Sequence, residues 1–360
     1  MFNFFRKNYF LGIDFGTSAV KIVELTLKNQ KAHLVNYGWI ELGLSLDSNG
    51  KEVKLLSFDD KLKIRLKDLV KRMELKSNSA YVSMPGFSGL VVLIDFPAMK
   101  REELEKAIQF EAHKYIPTPL SEISLGWDFV SKEEENELLG KKNPARKVQV
   151  LLVAAPNKEV ARYESIVRGT GLAVKAIELE TFSLARSLVG DDLGTFLIID
   201  IGARATNIML VDKGIVKVNR NIDAGGNEVT NTIADSINIS KQRAEAFKKE
   251  GKDLLNSKES SIIIPTLEMI ANESLRIISA YRERGRDARI DGVILSGGSA
   301  KLKGIDEYFS KTLEIRSSLG NPWKKIIVSE QLSSVVKKMG TSYSVALGLA
   351  LRGIEEYQRS

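Results

Sequence analysis

Two stretches of the chain share one order of apolar and polar positions. Residues 10–25 read FLGIDFGTSAVKIVEL, and residues 196–211 read FLIIDIGARATNIMLV. In each stretch an apolar strand ends in Asp-x-Gly, a turn of small or polar residues follows, and an alternating run completes the pattern of a β-hairpin. Aligning Asp14 with Asp200 also aligns Gly16 with Gly202. The repetition predicts that the chain consists of two related halves.

The rest of the chain alternates between strand and helix signals. Runs with a period of two and short apolar blocks predict strands, whereas apolar positions three and four residues apart predict helices. Strands are predicted at about 32–42, 80–97 (two strands around a Pro-Gly turn), 124–130, 148–155, 174–179 and from 292. Helices are predicted at about 59–73, 100–115, 158–169, from 182, from 228, 265–284 and 343–357. This alternation predicts a mixed α/β fold.

Two weaker expectations concern a loop and the C-terminal helix. Residues 131–146 carry charged residues, Gly and Pro with almost no apolar spacing, so they are predicted to form an exposed loop. The helix predicted at 343–357 is expected to pack on the second half of the molecule.

Both repeated turns place a carboxylate beside a glycine at the end of a buried strand. Glycine lets backbone N–H groups approach an anion closely, and a carboxylate at a strand end can hold a metal-bound water. A single Asp-x-Gly is equally compatible with an ordinary turn. Two copies in matching contexts favour a shared function, in which both turns grip one polyphosphate. Thr17, Ser18 and Lys21 lie at the first turn, where the two hydroxyls suit phosphate oxygens; a strand-surface cation is the alternative for Lys21.

Three motifs resemble those of the actin-like ATPase superfamily. GIDFGTS, IIDIGARAT and GVILSGGS, the last at 292–299, resemble its phosphate, second phosphate and adenosine motifs in order and spacing. The resemblance implies an actin-like ATPase fold of two related lobes around a nucleotide cleft, with ATP and Mg²⁺ as ligands. Asp14 and Asp200 would orient metal-bound waters, and Asp200 would also act in catalysis. The implied nucleotide contacts in these motifs are Asp14, Gly16, Thr17, Ser18, Lys21, Gly202, Arg204, Thr206, Gly297, Gly298 and Ser299.

Two further segments of the second half carry candidate nucleotide contacts. Residues 223–227, DAGGN, precede a predicted helix, where main-chain N–H groups and the helix dipole favour phosphate, so the candidates are Gly225, Gly226 and Asn227. In the segment AEAFKK, the superfamily resemblance assigns Glu245 and Lys248 to the ribose and adenine edge. An exposed helical charge pair is the alternative for these two residues. Arg204 is expected either to contact phosphate or to crowd the site and weaken hydrolysis.

A longer stretch resembles a narrower family. Residues 96–129, FPAMKREELEKAIQFEAHKYIPTPLSEISLGWDF, resemble the PilM family of cytoplasmic type IV pilus assembly proteins, which are relatives of the division protein FtsA. The resemblance implies an FtsA-type subdomain inserted in the first lobe and a small capping subdomain in the second. The expected division is 1–82 and 173–192 for the first-lobe core, 83–172 for the inserted subdomain, 193–222 and 291–360 for the second-lobe core, and 223–290 for the cap.

The PilM resemblance also implies a partner. In that family a groove between the inserted subdomain and the first-lobe core receives a short N-terminal peptide of the membrane protein PilN. The peptide is expected near Met84, Phe87, Leu93 and Tyr115.

The connector between the lobes, AIELETFSLARSLV at 176–189, carries two carboxylates. In the actin-like superfamily this connector can position the water that attacks the terminal phosphate, so Glu178 and Glu180 are both candidate bases. A salt-bridged or solvent-facing glutamate is the alternative for each, and spacing alone selects neither. Glu180 and Asp200 are taken as the candidate catalytic pair.

Composition narrows the class of protein and its compartment. The chain has 360 residues, of which 43% are hydrophobic, enough for two lobes. Cys is absent and His33 and His113 are the only histidines, which excludes a disulfide framework and a thiolate or histidine metal cluster. No apolar run reaches the roughly 20 residues of a membrane span, so a cytoplasmic protein, peripheral to the inner membrane through its partners, is expected. The net charge of +7 suits weak attraction to an anionic surface, but no nucleic-acid motif is present.

The sequence leaves three functions open. The first is an ATP-binding scaffold, with weak or no hydrolysis, that presents a nucleotide-sensitive surface to inner-membrane proteins of a type IV pilus or related secretion machine. The second is an enzyme with real turnover, although no sugar pocket or aspartate base can be identified for a phosphotransferase. The third is an FtsA-like filament, although residues 350–360, ALRGIEEYQRS, lack the amphipathic pattern of a membrane-targeting helix. Contacts with other pilus proteins and with copies of itself stay open.

Overall fold

The computed structural model describes residues 8–42, 57–130, 147–249, 253, 255, 262–283 and 288–359. The loop predicted at 131–146 lies outside these residues. The strands are β1 Tyr9–Phe15, β2 Ala19–Lys28, β3 Lys31–Glu41, β4 Ser79–Met84, β5 Leu90–Pro97, β6 Ile123–Phe129, β7 Lys147–Pro156, β8 Ala173–Leu179, β9 Thr195–Ile201, β10 Thr206–Asp212, β11 Ile215–Ile222, β12 Gly292–Ser296, β13 Ser317–Leu319 and β14 Ile326–Ile327.

The helices fall between these strands and after them. They are α1 Phe58–Met73, α2 Arg101–Ala112, α3 Asn157–Arg168, α4 Glu180–Leu188, α5 Gly226–Ser236, α6 Lys241–Lys249, α7 Pro265–Arg282, α8 Ile305–Leu313, α9 Glu330–Met339 and α10 Ser344–Arg359. Short 3₁₀ turns lie at Gly86–Ser88, Leu120–Glu122, Ser299–Lys301 and Gly340–Tyr343. Among the helices in the described ranges, none is both long and apolar enough to cross a bilayer.

Two sheets repeat one arrangement. The first has the order β14-β3-β2-β1-β4-β8, in which β1, β2 and β3 are antiparallel and β4 and β8 run parallel to β1. The second has the order β11-β10-β9-β12-β13, in which β9, β10 and β11 are antiparallel and β12 and β13 run parallel to β9. The predicted pair of related halves is confirmed, and the repeat extends beyond the hairpins to the parallel strands that follow them.

Each of these sheets has its own hydrophobic core. Helices α1 and α3 cover the first sheet, and α5, α7 and α8 cover the second. Strands β1 and β10 are buried along almost their whole length, because both of their faces are covered. They therefore read as nearly continuous apolar runs instead of alternating ones. A further core joins the two lobes through α4 and α10, with the buried side chains Leu184, Val189, Ile198, Met209, Val345 and Leu349.

A third, separate sheet lies between β4 and β8 along the chain. Its order is β5-β7-β6, all antiparallel, and α2 covers one face with Leu104 and Ile108. The sequence division also placed α3 in this inserted unit. Helix α3 contacts both units: Tyr163 and Ile166 belong to the first-lobe core, and the helix also contacts β6 and β7 of the inserted sheet. The end of the insertion at residue 172 stays a prediction.

The C-terminal helix α10 packs on the second lobe through Val345 and Leu349, as predicted, but most of its contacts are with the first lobe, which the prediction missed. It contacts β1, β2, β4 and α4. Its backbone passes so close to Gly12 of β1 that a Cβ there would collide with Ala346 and Ala350. Gly348 lies just as close to the backbone of Ser183 in α4. Because β14 also pairs with β3, the chain returns to the first lobe before it ends.

Candidate functional site

A cleft of about 760 Å³ lies between the first and second sheets. Both repeated turns form its walls, and the start of α4 lies beside them. The wall includes most of the residues predicted from the sequence, namely Asp14, Gly16, Thr17, Ser18, Lys21, Glu180, Asp200, Gly202, Gly226, Asn227, Glu245, Lys248, Gly297, Gly298 and Ser299. Arg204, Thr206 and Gly225 are not part of it.

The two turns have the same backbone shape. A Cβ on Gly16 would lie 2.9 Å from the carbonyl oxygen of Ala19, and a Cβ on Gly202 would lie 2.7 Å from the carbonyl oxygen of Ala205. These oxygens occupy equivalent positions in the repeat. Because real Cβ atoms are not found this close to a backbone oxygen, each turn needs its glycine.

The residues that face the two aspartates across each hairpin differ. In the first hairpin Asp14 faces Lys21, and in the second Asp200 faces Asn207. Lys21 Nζ lies 3.7 Å from Asp14 Oδ2. Asn207 is 3% exposed, and its Oδ1 has no hydrogen-bond partner among the described residues. The first turn therefore carries a cation where the second carries a neutral amide.

Asp14 is held in place by a hydroxyl and a cation. Ser83 donates a hydrogen bond to Asp14 Oδ1 at 3.1 Å and accepts one from Phe15 N at 3.0 Å. Burial raises the pKa of Asp14, and Lys21 and the Ser83 hydrogen bond oppose that effect. The carboxylate lies at the base of the cleft, and only 3% of Asp14 is exposed.

Asp200 and Glu180 form the acidic part of the cleft. Burial raises the pKa of Asp200 to about 6, although interactions with the Ser296 hydroxyl and the charge of Lys21 lower it. Burial, reinforced by the charge of Asp200, raises the pKa of Glu180 to about 8. Glu180 Oε1 accepts a hydrogen bond from the backbone N–H of Gly86 at 2.8 Å. A carboxyl group whose pKa is raised in this way is stabilised either by binding a proton or by a nearby cation.

The donor set fits a hydrated divalent cation and an anionic ligand. Carboxylate oxygens are the hard ligands that Mg²⁺ prefers, and Mg²⁺ commonly keeps several of its waters. Within the described ranges no cluster of three or more His, Cys, Asp or Glu residues has the arrangement of a metal site. Four lysines line the same cleft and suit phosphate groups: Lys21, Lys248, Lys249 and Lys301.

The expected role of the segment 223–227 requires a correction. Gly226 N donates to Gly202 O and Asn227 N donates to Ala203 O, both at 2.8 Å. Gly225 N donates to Glu228 Oε2 at 2.8 Å. These N–H groups are therefore used inside the protein and are not available to phosphate. The glycines instead allow close packing of the second turn, since a Cβ on Gly225 would lie 2.6 Å from Gly202 O.

Glu245 and Lys248 form a tight pair on the wall of the second lobe. Lys248 Nζ lies 2.6 Å from Glu245 Oε2 and donates to Gly226 O at 3.0 Å and to Thr230 Oγ1 at 2.9 Å. Lys248 is 9% exposed. The alternative of an exposed helical charge pair is therefore wrong for Lys248. Its ammonium group ties α6 to the start of α5 beside the second turn.

Arg204 and Thr206 lie away from the cleft wall. Arg204 is exposed and pairs with Asp223 at 3.1 Å. Thr206 is fully buried, and its hydroxyl donates to Ala224 O at 2.8 Å. Neither side chain is placed to contact phosphate, because one points to solvent and the other closes the hairpin internally.

Of the two candidate bases, only Glu180 faces the cleft. Glu178 is buried between two arginines, with Arg186 Nη1 at 2.8 Å and Arg352 Nη1 at 2.9 Å from its carboxylate. It therefore has the salt-bridged role that was its alternative, and it joins α4 to α10. Glu180 lies two residues later, at the first position of α4, and its side chain lines the cleft.

The four residues expected around a peptide do not form one surface. Met84 is 2% exposed and belongs to the first-lobe core, so it cannot meet a ligand. Phe87 is half exposed and lines the cleft between the lobes. Successive side chains of a strand point to opposite faces of the sheet. The neighbours of Leu93 on β5 pack under α2, so Leu93 lies on the other face of the third sheet. Tyr115, 41% exposed, follows the end of α2.

Sequence reasoning missed several residues of the cleft. Trp39 and Lys301 line it, and Ser83 and Ser296 hydrogen-bond its aspartates. The only available signal was the shared form of YVSMPG and VILSGG, in which a Ser at or next to the end of an apolar strand lies three residues before a 3₁₀ turn. A single serine in a strand is too common to be selected on that basis.

Comparison with protein families gives one match over almost the whole chain. The model of the family described as type IV pilus assembly protein PilM matches residues 12–354. Cell division protein FtsA of Pseudomonas aeruginosa is 25% identical over 264 residues, which cover 65% of this chain and 61% of that protein. FtsA of Streptococcus pneumoniae is 22% identical over 362 residues, covering 88% of this chain and 76% of that protein.

Solved structures agree with this placement. A PilM-PilN type IV pilus biogenesis complex superposes with a TM-score of 0.79 and 25% identity, covering 96% of this chain and 98% of the other. MreB 5 of Spiroplasma citri bound to AMPPNP superposes with a TM-score of 0.54 and 15% identity over 98% of each chain. At that identity the second likeness concerns the fold alone. The fold is that of the actin-like ATPases, as predicted.

Proposed function

The chain belongs to the family of type IV pilus assembly protein PilM, and from that membership we propose that it is an ATP-binding scaffold of a pilus or related secretion complex. In this proposal it lies in the cytoplasm, peripheral to the inner membrane. It binds the N-terminal peptide of a PilN-like membrane protein, and nucleotide in the cleft changes that binding.

The observation that carries the proposal is the pair of equivalent turns that face each other across the cleft. Asp14 and Asp200 end equivalent strands there, and Gly16 and Gly202 give both turns the same shape. The cleft volume of about 760 Å³ lies within the range of small-molecule sites. Mg²⁺, when bound, would neutralise phosphate charge. The MreB 5 structure, whose ligand is AMPPNP, supports the choice of nucleotide.

Within this cleft each group has a distinct proposed task. Asp14 and Asp200 hold waters of the cation from opposite lobes. Lys21 lines the cleft with 23% of its side chain exposed, so its ammonium group is proposed to bind phosphate oxygens. Gly298 leaves room for a planar base close to the backbone, since a Cβ there would meet nothing within 4 Å, and Lys248 is proposed to lie near the sugar. Gly297 instead allows close packing on Ile201, because a Cβ there would lie 2.4 Å from the Ile201 carbonyl oxygen.

Weak hydrolysis follows from the state of Glu180. A general base must be ionised to take a proton from water, and a carboxyl group with a pKa of about 8 is mostly protonated at neutral pH. Glu180 is therefore a poor base until a cation or other positive charge lowers its pKa. ATP hydrolysis with real turnover remains the second candidate function, because Glu180 places a carboxyl group of the connector in the cleft wall.

A short turn links the cleft to the inserted subdomain. Pro85 and Phe87 line the cleft, Gly86 N is bonded to Glu180, and strand β5 of the inserted sheet begins at Leu90. A ligand in the cleft therefore contacts the segment that positions the third sheet. We assign the nucleotide sensitivity to this turn, Gly86–Ser88. The PilM-PilN complex supports a PilN-like partner, and Leu93 and Tyr115 remain the proposed peptide contacts.

Calorimetry on the full chain tests the proposal. ATP is titrated first, with and without Mg²⁺, and then a synthetic N-terminal peptide of a PilN-like protein is titrated with and without saturating Mg²⁺-ATP. We expect saturable binding of both ligands and a peptide affinity that differs at least fivefold between the two conditions, which is the low end of ordinary coupling. Absence of nucleotide binding would refute the cleft assignment. Equal peptide affinities would refute the nucleotide sensitivity.

Two other outcomes would favour the alternatives. Phosphate release that Glu180→Gln abolishes would favour an enzyme with turnover. ATP-dependent pelleting of the purified chain would favour an FtsA-like filament, to which the similarity with FtsA points.

A further inference from the structure

The repeat places two serines at equivalent positions beside the two cleft aspartates. Strand β4 runs parallel to β1 with Val82 opposite Ile13, so Ser83 follows beside Asp14. Strand β12 runs parallel to β9 with Ser296 opposite Asp200. Both serines are essentially fully buried, with Ser83 at 1% and Ser296 at 0% exposure. The same hydroxyl group therefore occurs at the same place in both lobes.

Each hydroxyl contacts the aspartate of its own lobe. Ser83 donates to Asp14 Oδ1 at 3.1 Å. Ser296 lies directly opposite Asp200 in the parallel register, near enough for its hydroxyl to lower the pKa of that carboxyl group. Strand pairing therefore places both hydroxyls beside the carboxylates of the adjacent strands. A hydrogen bond to one carboxylate oxygen restricts rotation of the group and leaves its other oxygen for a further partner.

We infer that Ser83 and Ser296 are positioning residues that orient Asp14 and Asp200 toward the waters of a cleft-bound divalent cation. The inference rests on the proposed nucleotide function. Groups that hydrogen-bond the carboxylates around a metal fix their orientation, and their loss commonly weakens metal affinity about tenfold to hundredfold. Neither serine lines the cleft, so each would act through its aspartate.

The second partner of each hydroxyl differs between the lobes. Ser83 accepts from Phe15 N at 3.0 Å and so also holds the first residue after Asp14. Ser296 Oγ lies 3.1 Å from Ser344 Oγ, and Ser344 donates to Thr341 O at 2.8 Å. Because Ser344 uses its own hydrogen on Thr341 O, Ser296 is the donor in the contact with Ser344. An ionised Asp200 is the stronger acceptor for that single hydrogen, so ionisation of Asp200 favours rotation of the Ser296 hydroxyl toward the carboxylate. Asp200 is thereby connected to the start of α10 and to the cleft wall at Thr341.

The decisive measurement is the gain in ATP affinity that Mg²⁺ provides, determined by calorimetry for the wild type and four variants of the full chain. Ser83→Ala and Ser296→Ala remove one hydroxyl each, and Ser296→Thr keeps the hydroxyl. Ser274→Ala is the matched control, because Ser274 is equally buried in the second lobe but bonds only Ile270 O within α7. Thermal unfolding is recorded for each variant. Ser296→Ala is the more informative variant, since Ser83→Ala also deprives a backbone N–H of its partner.

We expect Ser296→Ala to lower the Mg²⁺-dependent gain about tenfold or more while the affinity for ATP without Mg²⁺ changes less than about threefold. Ser296→Thr restores the gain, and Ser274→Ala leaves it unchanged. An unchanged gain in Ser296→Ala, or an equal loss with and without Mg²⁺, overturns the positioning role. If the wild-type chain binds no ATP, the proposed function itself is wrong. If the wild type binds ATP and the serine variants bind it equally well, only the positioning role is wrong.

Discussion

The first and second turns of the cleft have the same backbone but different electrostatic surroundings. Asp14 has Lys21 opposite it, at 3.7 Å, whereas Asp200 has the neutral amide of Asn207 opposite it. The half-buried Glu180 lies near Asp200, and the charge of Asp200 raises the pKa of Glu180 beyond the effect of burial alone. The repeat has therefore preserved the shape of the turn on both sides and changed its charge on one.

This difference indicates what each turn contributes. The negative charge of the first turn is already nearly neutralised inside the protein, because the Asp14 carboxylate has the Lys21 cation nearby and a hydrogen bond from the Ser83 hydroxyl. The second has two carboxyl groups and the unpartnered amide oxygen of Asn207. A positive charge from a ligand would stabilise the second side most, so closing of the cleft around a cation is expected to depend on Asp200 and Glu180 more than on Asp14.

The largest expected effect is the loss of the cation of the first turn. Lys21→Met should weaken Mg²⁺-ATP binding about tenfold to hundredfold, the usual cost of a charged hydrogen bond. Calorimetry measures this change, with Lys28→Met as the control, because Lys28 lies on the exposed end of the same strand. Asn207→Leu should cost only a few fold. A larger loss for Asn207→Leu than for Lys21→Met would reverse the comparison between the turns.

The next effect concerns the turn that links the cleft to the third sheet. A Cβ on Gly86 would lie 2.7 Å from Asn221 Oδ1 and 2.8 Å from Asn207 Nδ2. Gly86→Ala should therefore displace this turn from the second lobe. We expect the peptide affinity of the nucleotide-free protein to change less than about twofold, while the at least fivefold effect of Mg²⁺-ATP on it disappears.

Gly126→Ala is the matched control for this experiment. Gly126 lies on β6 of the same inserted sheet, and a Cβ there would meet nothing within 4 Å. A nucleotide effect that survives in Gly86→Ala, or that is lost in both variants, would exclude the turn as the link.

The elements that could be predicted from the sequence are those with a local cause. Asp-x-Gly followed by an alternating run specifies a hairpin turn, and its recurrence specified the two halves. Helix α1 was predicted at about 59–73 and lies at Phe58–Met73, since Ser57 caps it and its apolar residues repeat at helical spacing. Such signals need no knowledge of the rest of the fold.

The features that could not be predicted depend on distant partners. The apolar pattern of α10 shows that the helix is buried but not which sheet covers it, and the choice depends on Gly12 and Gly348, far apart in sequence. The N–H groups of residues 225–227 were expected to meet phosphate, but Gly202 and Ala203 accept from two of them. Nothing in the segment DAGGN distinguishes these outcomes.

A smaller effect is expected in the pH dependence of stability without ligands. Burial raises the pKa of Glu180 from 4.5 to about 8, so the folded protein keeps a proton that the unfolded chain releases between these values. The resulting stabilisation is present in acid and is lost as the pH rises through about 8. The Tm should therefore fall by roughly 3–6 °C between about pH 6 and pH 8.5, and Glu180→Gln should remove most of that fall.

Differential scanning calorimetry measures this slope, with the exposed Glu122→Gln as the control. Asp200, with a pKa raised to about 6, contributes in the lower part of the range and should leave a residual slope below about pH 6. A Glu180→Gln variant with an unchanged slope would contradict the assignment of Glu180 as the protonated group.

The smallest expected effect is at Arg204, the cation nearest in sequence to the second turn. Its side chain is 63% exposed and pairs with the even more exposed Asp223. Exposed ion pairs contribute little to stability, and the guanidinium is not in the cleft wall. Arg204→Ala should therefore change ATP affinity less than about twofold and leave the Tm almost unchanged. A tenfold loss of affinity would mean that Arg204 turns into the cleft when the ligand binds. The second turn would then also have a cation facing the ligand, as the first turn has in Lys21.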